Sequence, residues 1–108
     1  MLDVTPLYAA VERFADRLRA APQSRLERHA AAEGLALARE LARRAQLLEE
    51  PGAEPREMPD GGLFAAADQV AVAGRDLAVA LENDPRADEA ALAEAVALVA
   101  DATARAKI

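Results

Sequence analysis

Thirty of the 108 residues are alanine, and almost all of them fall within four stretches whose larger apolar residues recur every three or four positions. Alanine is the strongest helix former because ordering it costs no side-chain entropy. It also leaves little bulk on a helix surface, so such helices can approach closely around a thin core. The pattern leaves room for little except packed helices, and no segment alternates as a strand would.

The ends of the four stretches are marked. Thr5 reads as the N-cap of a first helix, with Pro6 at its first position and Val4, Leu7, Val11, Phe14 and Leu18 on one face; Pro22 stops it near Ala20. Ser24 and Glu27 have capping-box spacing and open a second helix that Pro51-Gly52 ends. Its stripe is Leu26, Ala30, Leu37, Leu41, Ala45 and Leu48, widened by Ala31, Leu35, Ala38 and Ala42. Residues 51–62 hold three prolines and three glycines and form the one long connection. A third helix follows over 63–82, with a core stripe of Leu63, Ala67, Val70, Gly74, Leu77 and Leu81. Asp84 then caps a fourth with Pro85 at its first position, Asp88 being the alternative cap. The core face of that fourth helix is Leu92, Ala95, Val96, Val99, Ala102 and Ala106. The spacing predicts helices at 6–20, 25–50, 63–82 and 85–106 in one all-α domain spanning 1–108. Short connections within each half predict two helical hairpins, assembled as an antiparallel up-and-down four-helix bundle.

Charge narrows the function classes. The net charge is −6, and it resides entirely in residues 51–108, where eleven acids face five bases. An acidic half argues against nucleic acid, whose phosphates need clustered positive charge. With 53% apolar and 30% charged residues the chain reads as globular rather than disordered. No cysteine is present for a disulfide or thiolate site, and no apolar run approaches the roughly 18 residues that span a bilayer. No signal-peptide pattern is visible at the N-terminus, which predicts a soluble cytoplasmic protein that does not engage a membrane.

The third helix has more apolar surface than its core stripe uses. At about 100° per residue, Val72 and Val79 project away from that stripe and lie nearly in line, with Ala65 one repeat earlier. Asp68 and Arg75 flank them on one side, Gln69 and Asp76 on the other. Charges framing an apolar stripe suit a self-complementary contact across a two-fold axis. The expected partner is a second copy of the chain, besides an unidentified protein.

The second helix carries the only histidine. His29, Glu33 and Glu40 share one edge, a spacing open to metal chelation, but no second histidine or Glu-x-x-His pair completes such a site, and Arg43 and Arg44 stand at pairing distance from Glu40. Arg25, Arg28, Arg39 and Arg43 line one side, a solvated face whose natural target is the acidic second half. No phosphate loop, nucleophile elbow or paired-acid motif appears, so no catalytic residue, metal or cofactor is expected.

The stretch from Leu26 through His29 to Leu35 loosely resembles the motif of histidine phosphotransfer domains, four-helix bundles of about this size with one exposed histidine on the second helix. In that family a lysine and then a glycine follow the histidine at three and four residues; here those positions are Ala32 and Glu33, and Gly34 comes one residue later. The resemblance implies His29 as phosphoacceptor. The chain is also similar in size and helicity to small helical-hairpin proteins secreted by actinobacteria. Tyr8 and Glu12 have the spacing of that family's Tyr-x-x-x-Asp/Glu signal, though early in the chain and without its Trp-x-Gly turn. The expected function is a non-enzymatic interaction or assembly protein, a regulatory or structural homodimer, with phosphotransfer through His29 as the alternative.

Overall fold

The computed structural model describes all 108 residues as four helices without strands, in a compact globule whose packing is compatible with a bundle. They are α1 (Thr5–Ala20), α2 (23–49), α3 (63–83) and α4 (Glu89–Ala106). No helix is long and apolar enough to cross a membrane.

The helix starts differ from the expected caps. Val4, not Thr5, is the N-cap of α1, because the Asp3 carboxylate takes the Thr5 N–H (3.0 Å). The Ser24 capping box does not form; α2 begins at Gln23, whose side chain instead donates to Glu27 (2.8 Å). Its second segment, Leu26–Ala30, is π-helical, the Ala31 N–H reaching back to the Leu26 carbonyl. α3 opens with a 3-10 turn, Leu63–Ala65, after Gly62 at φ +92°, a left-handed conformation that suits glycine. α4 starts at Glu89 rather than at Pro85. Arg86 takes the Asp84 carboxylate through its backbone N–H (2.8 Å) and guanidinium, whereas Asp88 accepts from the Ala91 N–H (3.0 Å) as a true cap.

The predicted hairpins are not the packing pairs. α3 packs against α2 and α1, and α4 closes against the same two helices. Arg44 reaches Glu94 and Arg105 reaches Glu33, so α2 and α4 run antiparallel. Val11 meets Gly74 and Arg19 meets Asp68, so α1 and α3 are antiparallel as well. Gly34 lies against Ala66 while Leu48 shares a cavity with Leu77 and Leu81, so α2 and α3 run the same way. The linker makes this possible by retracing α2. The Gln46 side chain clamps the backbone of Arg56, Arg39 donates to the Met58 carbonyl (2.9 Å), and Gln69 to that of Pro59 (2.8 Å). An extended linker of this length can span roughly 40 Å, more than the ~28 Å of α2's last nineteen residues. The result is one long crossover in place of an up-and-down path.

Of the 27 buried apolar residues 14 are alanine, so the core is thin and close approach holds it together. Contact is tightest at Gly74, where an added Cβ would lie 2.5 Å from a Val11 methyl. Gly74→Ala is expected to destabilise by about 1–3 kcal/mol, overcoming the ~1 kcal/mol that alanine gains in helix propensity. Val11→Ala should restore part of the loss in the double variant. At Gly34 an added Cβ would meet a methyl of buried Leu18 at 3.1 Å and the Ala66 Cβ at 3.4 Å, a smaller overlap, so Gly34→Ala should cost clearly less than Gly74→Ala. Urea melts of the four variants check the pair; equal costs at both glycines would contradict this packing.

Candidate functional site

Val72 and Val79 stand where the helical period predicts, on the side of α3 opposite its buried residues, 58% and 42% exposed. Seven residues of helix separate them by about 10 Å. Not all of their expected frame is free. Asp68 is held by Arg19 of α1 at 3.0 Å, and Gln69 by the linker. Arg75 and Asp76 are exposed without an ion-pair partner. Ala65 is half-buried under the linker: a Cβ on Gly61 would come within 2.8 Å of it, so it does not extend the outward stripe. Phe64, 73% exposed, stands beside it at the head of the same helix. It sits four residues before Asp68 and eight before Val72, a spacing visible in the sequence but masked by the Pro/Gly segment it follows.

His29 lies in the π-helical segment, half-buried. Its Nε2 has almost no accessible surface and no hydrogen-bond partner, so a phosphoryl donor has no path to that nitrogen in this conformation. The carboxylates of its helix edge are engaged elsewhere, Glu33 with Arg105 (2.9 Å) and Glu40 with Arg43 and Arg44 (2.7 Å each). No group of three or more histidine or carboxylate side chains gathers at metal-binding distance. The arginine row is likewise divided: Arg39 pairs with Glu57, Arg43 with Glu40, and Arg25 donates to the Lys107 carbonyl (3.2 Å).

Glu40 is the most perturbed group. Hydrogen bonds from Arg43 hold its carboxyl down to about 2 against a partial desolvation cost, with Arg44 adding to the effect. Arg44 also pairs with Glu94, which joins α2 to α4. The folded value lies below the ordinary one, so this stabilisation is present above about pH 4.5 and is lost as pH falls toward 2. The side chains are roughly a third to half exposed, which limits the effect to under about 1 kcal/mol. Urea melts at neutral and acid pH should show a shallower acid loss in Glu40→Gln than in wild type; identical slopes would contradict the assignment.

Between α2, α3 and α4 an apolar cavity of 240 Å³ is lined by Leu47, Leu48, Leu77 and Leu81, with the Arg44–Glu94 pair at its mouth. A groove of 470 Å³ lies between α1 and α4. No family model, curated protein or solved structure matches the chain.

Proposed function

We propose that the protein is an interaction or assembly module, a regulatory or structural homodimer joined through the outward side of α3, soluble and cytoplasmic, with no catalytic site of its own. Its partners are then a second copy and an unidentified protein, not nucleic acid or membrane. The observation that carries this reading is the exposure of Val72 and Val79 in line on the face of α3 turned away from the core. A contact of ordinary size covers about 800 Å² per partner, so it would extend beyond the two valines to Phe64, Arg75 and Asp76. Arg75 of one copy facing Asp76 of the other gives the contact a preferred register across the two-fold axis. The phosphotransfer alternative draws no support from the enclosed Nε2 of His29. Light scattering on wild-type protein at about 100 μM tests the proposal. The expected mass is about twice the chain's 11.4 kDa, and a monomer mass would overturn it.

A further inference from the structure

Six of the thirteen basic side chains are in ion pairs: Arg19, Arg39, Arg43, Arg44, Arg86 and Arg105. The others are not spread evenly. Arg13, Arg17 and Lys107 line the α1/α4 groove, and Arg17 continues into an adjoining hollow of 340 Å³ that Arg25 closes beyond the end of α1. None of these four pairs with a carboxylate. Arg25 makes one bond, to the Lys107 backbone, which ties the far end of the groove together.

The floor between these cations is apolar. Val99 is buried, Val96 is only half-buried although it stands on the core face of α4, and Ala10, Ala100 and Ala104 leave the space a larger side chain would fill. Along α1 the groove runs from Ala10 to Ala20, about 15 Å or between two and three helical turns. We infer that this groove is the docking site for an acidic amphipathic helix of a partner protein, whose apolar stripe covers Val96, Ala100 and Ala104 while its flanking carboxylates pair with Arg13, Arg17, Arg25 and Lys107.

Charge complementarity selects this occupant. Four unpaired cations around an apolar trough fit a helix with apolar residues at i, i+3, i+4 and i+7 and acids beside them. The net charge of −6 lies in residues 51–108, so an acidic partner is disfavoured over that half of the chain and drawn to the unpaired cations of this seam. A second copy fits poorly, because the chain's own free stripe at Val72 and Val79 is bordered by both Arg75 and Asp76. A bilayer would engage a projecting face, whereas these residues line a hollow.

The test uses the full chain and a fluorescein-labelled peptide of about 18 residues, leucines on one helical face and glutamates beside them. A scrambled peptide of the same composition and a lysine-for-glutamate version are the controls. Only the unscrambled acidic peptide is expected to raise the anisotropy, more weakly at about 200 mM than at about 50 mM salt. Arg13→Ala/Arg17→Ala should weaken binding about tenfold or more with circular dichroism and mass unchanged. Ala100→Leu, which fills the trough without touching charge, should do the same. Absent binding at about 100 μM, equal binding of the scrambled peptide, or indifference to either variant would overturn the proposal. So would Arg13/Arg17-dependent binding to phosphatidylserine-containing vesicles in place of the peptide, which would give the surface to lipid.

Discussion

Phe14→Ala is expected to cost about 3–5 kcal/mol of folding stability, the largest loss from any single core truncation in this chain. Phe14 has no exposed surface and is the one aromatic side chain in the core. What surrounds it decides the size of the effect. Half of the buried apolar residues are alanine, which has no rotamer to swing into the space, so the cavity would stay largely unfilled. α1 also closes against both α3 and α4, and loosening it disturbs two seams together. For a domain of this size the melting temperature should fall by roughly 15 °C or more. A fall under about 5 °C in a thermal melt followed by circular dichroism would show that Phe14 is not the keystone of α1.

If the proposed dimer forms through the outward side of α3, Val72→Asp/Val79→Asp should convert it to monomers while leaving the helices intact. Both side chains point away from the core, and each is about half exposed in the single chain, so neither substitution buries a charge within the protomer. In the proposed dimer four carboxylates would approach across the two-fold axis, with Arg75 beside them and Arg86, which borders the same hollow as Val79, already paired with Asp84. Burying them costs roughly 4 kcal/mol or more, about three decades of Kd, enough to dissolve a micromolar contact. The expected result in light scattering is the mass of one chain, 11.4 kDa, with a melting temperature near that of wild-type protein measured as a monomer. A variant that unfolds instead would place this face inside the fold.

Much of the secondary structure is legible in the sequence, because each apolar stripe is bounded by proline, glycine or a capping acid. The partnering of the helices is not. Alanine-rich faces fit one another almost equally well, so periodicity shows which side of a helix is buried but not against which neighbour. The markers of close approach, Gly34 and Gly74, read in sequence only as weak helix formers. Whether the linker would turn back along α2 depends on Gln46, Arg39 and Gln69 finding backbone carbonyls, which no local pattern announces. The start of α4 was a choice between two aspartates of equal propensity, decided by Arg86 occupying Asp84. On the candidate contact face the period places Val72 and Val79 outward, yet Ala65 lies under the linker and Asp68 is held by α1, both consequences of tertiary neighbours. Val96 reads as core and instead lines the α1/α4 groove, because residues 10, 100 and 104 are alanine.

The most direct measurement of the central claim uses the absence of cysteine in the chain. Val72→Cys and Ala93→Cys each introduce one thiol on an exposed position, the first on the outward side of α3 and the second on α4. Treated with a short bismaleimide at micromolar concentration, Val72→Cys is expected to give a covalent dimer of about twice 11.4 kDa while Ala93→Cys remains at the mass of one chain. Equal cross-linking of the two variants, or none at Val72, would contradict a dimer joined through α3.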